Sequence, residues 1–165
     1  MTPQPAASVG FLYSGVCARE LQSSATSRPG IKFWAECAVT REMTFDIGID
    51  LVDCGQLEEA LAHHGDRFVN RVYTAAEYAE SRGQTAALAG RFAAKEATMK
   101  ALRRGDEGIG WQSIEIVNGP DRMPEIRLSG AAAELAATRG VTALRVGITE
   151  GRRHAAAVVI MEAAR

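Results

Sequence analysis

Alternation of apolar and polar residues begins at Met43 and predicts a β-strand, because successive side chains of extended backbone point to opposite faces. Before this point neither a helical nor a strand period is sustained, and the prolines and serines predict little independent structure. We therefore divide the chain into an N-terminal extension, residues 1–42, and a domain, residues 43–165. The predicted strand has an apolar face, formed by Phe45, Ile47, Ile49 and Leu51, and a second face formed by Asp46, Gly48 and Asp50.

Helical periodicity follows the strand. Apolar residues at helical spacing predict a short helix that ends at Gly65 and a further apolar turn before Thr74. Residues 74–77 have the form of a capping box, which predicts a helix through about Arg82. The longest helix is predicted at about residues 85–102, with Gly105 and a charged loop after it.

The rest of the chain predicts mainly strands. Ser129 is expected to cap a short helix that stops at Gly140. Only residues 150–153 separate the last two strands, which is short enough for a hairpin and therefore predicts antiparallel neighbours. The fold class is thus α/β of the α+β type, with an antiparallel sheet rather than a doubly wound one. Apolar runs mark four strands in this part, at residues 114–116, 126–128, 144–148 and 155–161.

The longest predicted helix carries charges on the side that should be buried. Lys95 occupies one step of an apolar seam, and Glu96 and Lys100 lie beside it. An unpaired charge in a packed stripe is costly, so this pattern indicates a region that binds something ionic. The alternative, a solvated Glu/Lys face with snorkelling lysines, has equal weight on this segment alone. The seam consists of Leu88, Phe92, Met99 and Leu102.

Composition narrows the function classes. The 165 residues are 47% hydrophobic and 24% charged, which is ordinary for one soluble globular domain. A net charge of -1 gives no overall field to attract nucleic acid or an anionic membrane, and no apolar run is long enough to span a bilayer. Cys17, Cys37 and Cys54 fit neither a disulfide framework nor a Cys-x-x-Cys metal site, so we expect a reducing, cytoplasmic location.

Two carboxylates from separate elements are candidate metal ligands. Asp50 ends the first strand and Glu96 lies on the long helix, and oxygen ligands of this kind suit Mg²⁺. Asp46 shares the strand face, but four strand residues span about 13 Å, too far for both aspartates to hold one ion. The alternative for Asp50 is a strand-end aspartate that caps backbone amides.

Positive charges surround these carboxylates. Arg91, Lys95 and Lys100 lie within three turns of Glu96, and cations beside a metal carboxylate suit a pyrophosphate. The alternative is a solvated basic face. The sequence contains no phosphate-binding loop of the Walker or dinucleotide type, no Gly-x-Ser-x-Gly elbow and no histidine metal pattern.

Four segments of the predicted domain form a set with a recognisable order and spacing. Gly48-Ile49-Asp50-Leu51-Val52-Asp53 and Arg91-Phe92-Ala93-Ala94-Lys95-Glu96-Ala97 are the most specific, and Arg71 to Thr74 with Glu77 and Leu128 to Ala132 extend them. The set resembles the holo-[acyl-carrier-protein] synthases, the short class of the 4'-phosphopantetheinyl transferase superfamily. The resemblance covers about Met43 to the C-terminus. Val52, where the longer transferases have a glutamate, agrees with the short class.

The resemblance implies a trimer-forming α/β fold with active sites between neighbouring subunits, and an enzyme of fatty acid or polyketide biosynthesis. Coenzyme A would give its phosphopantetheine arm to a serine of an apo acyl carrier protein, releasing 3',5'-ADP. Asp50 and Glu96 match the magnesium ligands, and Arg91 and Lys100 match positions associated with coenzyme A phosphates. Lys95 lies inside the same motif and is also expected to contact coenzyme A. Glu96 and Lys100 are the expected catalytic residues, with either Glu96 or a metal-bound water taking the serine proton.

The sequence departs from the family pattern at four places. The basic residue expected on the first helix is Gln56, for which Arg67 and Arg71 are possible replacements in gripping an acidic carrier protein. Glu150 stands where the family has a histidine that meets coenzyme A phosphates, and a carboxylate there should repel them unless Arg152, Arg153 or magnesium compensates. The other two departures lie in turns: Arg103-Arg104-Gly105-Asp106 stands where the family usually has a glycine-rich turn, and Arg122-Met123-Pro124 where it usually has Gly-Lys-Pro.

These departures leave a second hypothesis, a catalytically degenerate homologue that serves as a binding or assembly subunit. A regulatory or docking role for residues 1–42 is a further alternative to an extension with little structure.

Overall fold

The computed structural model of the chain describes residues 42–103 and 108–164. The predicted extension, apart from Glu42, and the charged loop at residues 104–107 lie outside the described residues. The α+β prediction is confirmed, and each predicted strand and helix is present. In chain order the elements are β1 (Met43–Asp53), α1 (Cys54–Val72), α2 (Ala75–Ser81), α3 (Thr85–Ala101), a 3-10 turn (Trp111–Ser113), β2 (Ile114–Asn118), β3 (Pro124–Leu128), α4 (Gly130–Thr138), β4 (Val141–Glu150) and β5 (His154–Ala164).

The main sheet has three antiparallel strands in the order β1-β5-β4. β1 pairs with β5 along its whole length, from Met43 opposite Ala164 to Asp53 opposite His154. β4 and β5 form the predicted hairpin, closed by a hydrogen bond from the Gly151 amide to the His154 carbonyl at 2.9 Å. β2 and β3 form a separate antiparallel pair.

Helix α3 packs across one face of the main sheet and is the centre of the core. Gly48 of β1 allows a close approach, because a Cβ at this position would lie only 1.8 Å from the Ala97 carbonyl oxygen. Along α3 the buried positions include five alanines, which keep the helix close to the strands. The face of β1 that carries Asp46, Gly48 and Asp50 therefore points toward the helix.

The opposite face of the sheet is apolar and open in the single chain. The predicted alternation in β1 is confirmed, but the bulky apolar residues lie on the open face and not in the core. β1 and β5 contribute large side chains that are more than a third exposed: Phe45 62%, Ile47 62%, Ile49 63%, Leu51 66%, Val158 39% and Ile160 38%.

Local signals set the helix boundaries. Gly65 has non-helical backbone angles (φ 50°, ψ -133°) inside α1, so the predicted break between two short helices is a kink in one helix. The predicted capping box of α2 is complete, with Thr74 Oγ1 accepting from the Glu77 amide at 3.2 Å and Glu77 Oε2 accepting from the Thr74 amide at 2.8 Å. Ser129 precedes α4 as predicted, yet its side chain makes no capping hydrogen bond there.

No helix among residues 42–103 and 108–164 is long and apolar enough to cross a membrane.

Candidate active site

A cleft of about 360 Å³ opens where the end of β1, the start of α1 and the middle of α3 meet. Its size lies within the usual range of small-molecule sites, roughly 300 to 1,000 Å³. Asp50 and Asp53 form its strand side and Glu96 and Phe92 its α3 side, while Phe68 closes it from α1. The structure thus brings Asp50 and Glu96, the two predicted metal ligands, to one cavity.

Asp50 already has a cationic partner. The Lys100 Nζ lies 2.5 Å from Asp50 Oδ1 and also donates to the Ile49 carbonyl at 3.1 Å. The Asp50 side chain is 15% exposed and the Lys100 side chain 52%, so the pair lies at the surface end of the cleft. The sequence-predicted Asp50, Glu96 and Lys100 are therefore neighbours, with Glu96 one turn before Lys100 on α3.

The donor set of the cleft suits magnesium. Two carboxylates face one cavity, and Mg²⁺ uses one or two protein carboxylates together with water and phosphate oxygens. Within the described part of the chain, no cluster of three or more His, Cys, Asp or Glu side chains offers a complete protein cage for a metal. This arrangement fits an ion shared with a phosphate-bearing substrate better than a fully protein-bound structural ion.

Arg91 lies on α3 beside α2 and does not line the cleft. Its Nη2 pairs with Glu80 Oε2 at 3.2 Å, and its Nη1 donates to the Ala87 carbonyl at 3.3 Å. Its side chain is 9% exposed, and among the residues that the structure describes its Nε, a buried donor, has no hydrogen-bond partner. An unmatched guanidinium donor suits an anionic oxygen, so Arg91 keeps the chemistry expected of a phosphate contact.

Lys95 points into the protein. Its side chain is 0% exposed, and its Nζ lies 2.9 Å from Glu77 Oε2, whose side chain is also 0% exposed. The same ammonium donates to the carbonyls of Trp111, at 3.1 Å, and Ile114, at 2.5 Å. Burial lowers the pKa of Lys95, while the Glu77 carboxylate opposes that shift. The ionic group that Lys95 binds is therefore Glu77 of its own chain, and the structure does not bring Lys95 to the cleft.

Aromatic side chains form one wall of the cleft, which the sequence pattern did not reveal. The Phe92 ring stacks on Trp111, with centroids 5.0 Å apart, and lies 6.4 Å from the ring of Phe68. Phe92 was predicted only as a member of an apolar seam. Its position four residues before Glu96, on the same helix face, was the available signal that it borders the site.

A second cavity, of about 470 Å³, continues from the cleft along α1. The two cavities share Ala60 and Phe68, and the second is lined by the basic side chains of Arg67 and Arg71 together with His64. Gln56, the departure from the family pattern, lines the first cavity. A carboxylate-lined cleft thus leads into a basic one.

Glu150 lies against α3 at the end of β4. A Cβ at Gly90 would come within 2.8 Å of Glu150 Oε1, so the carboxylate packs on bare helix backbone. Among the described residues, no ion pair joins Glu150 to Arg152 or Arg153, the two cations that were expected to compensate it.

Of the two altered turns, the structure describes all of Arg122-Met123-Pro124 but only Arg103 of the other. Arg122 has a positive φ of 59°, in the turn where the family resemblance expects a glycine. Arg103 donates from Nε to Asp46 Oδ1 at 2.9 Å, and Arg139 pairs with Asp46 Oδ2 at 2.8 Å. These arginines hold the pKa of Asp46 below its usual value, mainly through the hydrogen bond from Arg103. Asp46 therefore forms ion pairs near the C-terminal end of α3, and it does not line the cleft.

Comparison with known proteins identifies relatives of the chain. Residues 46–159 match the family model described as the 4'-phosphopantetheinyl transferase superfamily. The holo-[acyl-carrier-protein] synthase of Paramagnetospirillum magneticum is 42% identical over 130 residues, which cover 73% of this chain and 98% of that protein. The synthase of Halorhodospira halophila is 42% identical over 123 residues, with 72% and 98% covered.

A solved structure agrees with the sequence comparisons. The crystal structure of Helicobacter pylori holo-[acyl-carrier-protein] synthase, in complex with coenzyme A, superposes with a TM-score of 0.64 at 29% identity. The match covers 70% of this chain and 98% of that one.

Proposed function

Because the chain belongs to the holo-[acyl-carrier-protein] synthases of the 4'-phosphopantetheinyl transferase superfamily, we propose that it transfers the phosphopantetheine arm of coenzyme A to an apo acyl carrier protein. The observation that carries this proposal is the convergence of Asp50 and Glu96 on one cleft, with the Lys100 ammonium paired to Asp50. In the reaction, the carrier serine oxygen forms a bond to the phosphorus of the phosphopantetheine arm. The bond from that phosphorus to the bridging oxygen breaks, and 3',5'-ADP leaves with the electron pair.

Asp50 and Glu96 would hold Mg²⁺ in the cleft. Bound there, the ion would neutralise charge on the pyrophosphate and lower the barrier to its cleavage. Both carboxylates come from rigid elements, a paired strand and a packed helix, which suits the demand of phosphoryl transfer for positioning.

Lys100 and Glu96 are the proposed catalytic residues. The Lys100 ammonium is half exposed at the mouth of the cleft, where it can meet the phosphate of the departing 3',5'-ADP. We assign the serine proton to the Glu96 carboxylate, which lines the same cavity as Asp50. Arg91, with its unmatched buried Nε, is proposed as a further contact for coenzyme A phosphates.

The carrier protein would dock along α1. Arg67 and Arg71 line the basic cavity that continues from the cleft, so an acidic carrier surface there would place its serine toward the carboxylates. These two arginines take over the role expected at Gln56.

We further propose a homotrimer formed through the open face of the main sheet. Large exposed apolar patches mark interaction surfaces, and this face carries Phe45, Ile47 and Ile49 at more than 60% exposure. A depression of about 300 Å³ on the same face, beside Gly147 and Ala156, offers a receiving surface for bulky side chains of another copy. Leu51 belongs to both the open face and the lining of the cleft, so a neighbouring subunit would border the site.

Light scattering tests the trimer. Ile47→Asp places a carboxylate on the open face and is expected to give monomers, whereas Met123→Asp, at an equally exposed apolar residue (65%) elsewhere, should leave the wild-type state intact. A monomeric wild type, or a trimer that survives Ile47→Asp, contradicts the proposed interface.

Carrier loading tests the activity. The chain is incubated with coenzyme A, Mg²⁺ and a panel of apo carrier proteins, and intact-mass spectrometry is expected to show the gain of one phosphopantetheine arm on at least one carrier. No loading of any carrier, together with no calorimetric binding of coenzyme A, would overturn the enzyme and leave a binding or assembly subunit. Glu150, uncompensated by Arg152 or Arg153, is the observation that keeps this second function open.

We place the protein in the cytoplasm, where its carrier and coenzyme A would be available, and treat residues 1–42 as an extension to the catalytic domain. Comparing carrier loading by the full chain and by a chain that begins at Met43 decides whether the extension matters for activity.

A further inference from the structure

The buried pair of Glu77 and Lys95 is a polar feature that the proposed reaction does not use. Both side chains are 0% exposed, although a charged group in a protein interior is costly unless it is fully partnered. The Lys95 ammonium has three hydrogens, and three acceptors surround it: Glu77, the Trp111 carbonyl and the Ile114 carbonyl. It has no donor left for a ligand.

The carboxylate of Glu77 accepts three hydrogen bonds. Besides Lys95, its Oε2 accepts from the Thr74 amide at 2.8 Å, and its Oε1 accepts from the Ile116 amide at 2.9 Å. One ion pair therefore ties α3 to the start of α2 and to the edge of β2. These contacts come from segments 18 or more residues away from Lys95 along the chain, so they fix how α3 sits in the fold.

Two routes lead from this pair to the cleft. Glu96 follows Lys95 directly, and consecutive helix residues project about 100° apart, so anchoring Lys95 sets the direction of Glu96. The second route is the wall of the cleft: Lys95 holds the Trp111 carbonyl, and the Trp111 ring stacks on Phe92 at 5.0 Å. Phe92 and Glu96 both line the cavity.

We propose that Glu77 and Lys95 form a positioning unit, which rotates α3 so that Glu96 faces Asp50 and which seats the Trp111–Phe92 wall. Resting on the proposed transferase function, this assignment makes Lys95 a residue that acts through Glu96 and Phe92 and does not touch coenzyme A. It replaces the contact with coenzyme A that the sequence motif suggested for Lys95.

The test separates positioning from binding and from mere stability. The double variant Glu77→Gln with Lys95→Met removes both charges together, which avoids leaving one charge buried alone. We expect kcat for carrier loading to fall roughly tenfold or more, while the KM for coenzyme A changes by less than about threefold. A tenfold rise in this KM with kcat unchanged would make Lys95 a coenzyme contact, and wild-type values of both constants would make the pair purely structural; either result overturns the proposal.

A matched control uses another buried polar residue of α3. Thr98 is 0% exposed, and its hydroxyl donates only within the helix, to the Ala94 carbonyl at 2.7 Å. Thr98→Val is therefore expected to change stability without changing kcat. If the double variant does not fold, Glu77→Asp keeps the charge but withdraws the carboxylate by one methylene, and it should lower kcat at an unchanged KM; an unchanged kcat contradicts the proposal.

Fluorescence supplies a readout that does not depend on activity. The chain has two tryptophans, so a Trp34→Phe background leaves Trp111 as the only one. We expect the emission of Trp111 to shift to longer wavelength in the folded double variant, because the Trp111 carbonyl loses its hydrogen bond from Lys95 and the less firmly held ring gains water. An unchanged spectrum overturns the proposed positioning of the cleft wall, even if the wild type loads no carrier. A shifted spectrum together with a wild type that loads no carrier rejects the transferase function alone.

Discussion

Helix α3 contributes a lysine to each of two lysine–carboxylate pairs, and the two pairs lie in opposite environments. Lys95 and Glu77 are both 0% exposed and share their remaining hydrogen-bonding groups with backbone, whereas Lys100 is 52% and Asp50 15% exposed at the mouth of the cleft. The buried Lys95 ammonium has no donor left for a ligand. The cleft pair can exchange its partner for a metal or a phosphate at little cost, because exposed ion pairs contribute little to stability. Two pairs of similar residues therefore have different roles: the buried pair fixes the helix, and the exposed pair is available to bind and react.

The largest expected effect comes from substituting the carboxylates that line the cleft. Asp50→Asn and Glu96→Gln each remove a charge that the proposed chemistry needs, so carrier loading at saturating Mg²⁺ should fall by about 10²- to 10⁴-fold. Asp46→Asn is the matched control, because Asp46 lies on the same strand face but pairs with Arg103 and Arg139 outside the cleft. Near-normal turnover in either cleft variant would remove that residue from the site.

Stability sharpens the comparison from the other side. Lys95→Met leaves Glu77 as an unpaired buried charge and should lower the free energy of unfolding by about 3 to 5 kcal/mol. Lys100→Met removes an exposed partner and should lower it by less than about 1 kcal/mol. Urea denaturation followed by circular dichroism measures both values. Equal losses would show that the two pairs do not differ as their burial indicates.

The sequence predicted the elements better than their roles. Capping boxes, glycines and alternation are local signals, so α2, the break at Gly65 and the alternating faces of β1 were all predictable. Which face of β1 meets the core was not, because that depends on Gly48 admitting the α3 backbone. Alternation identifies two faces, but only tertiary packing decides which of them becomes buried.

The site shows the same division. Asp50, Glu96 and Lys100 were found from residue chemistry and the family motif; the fold brings Asp50 and Glu96 to one cleft and pairs Lys100 with Asp50. Lys95 was grouped with them because its charge stands in an apolar seam, and that conflict has two solutions, an external ligand or an internal partner. The sequence identified Glu77 as a helix cap and as part of the family motif, but nothing local shows that its carboxylate also reaches α3.

The smallest expected effect concerns Asp46, which forms ion pairs with Arg103 and Arg139. Its pKa in the folded state lies below its ordinary value of 3.8, so its contribution to stability is present above that value and is lost as the pH falls through the folded pKa. The difference in unfolding free energy between wild type and Asp46→Asn should therefore shrink as the pH is lowered from about 6 to about 3. A difference that stays constant over this range would show that the arginines do not favour ionised Asp46.

The distinction between the two lysines of α3 is tested most directly by the affinity for coenzyme A, measured by titration calorimetry. Lys100→Met should weaken binding roughly tenfold, the usual loss for a charge-assisted hydrogen bond. The Glu77→Gln with Lys95→Met double variant should bind within about threefold of wild type, because neither residue contacts the ligand. Undiminished binding by Lys100→Met, together with a tenfold loss in the folded double variant, would reverse the two assignments and contradict this account.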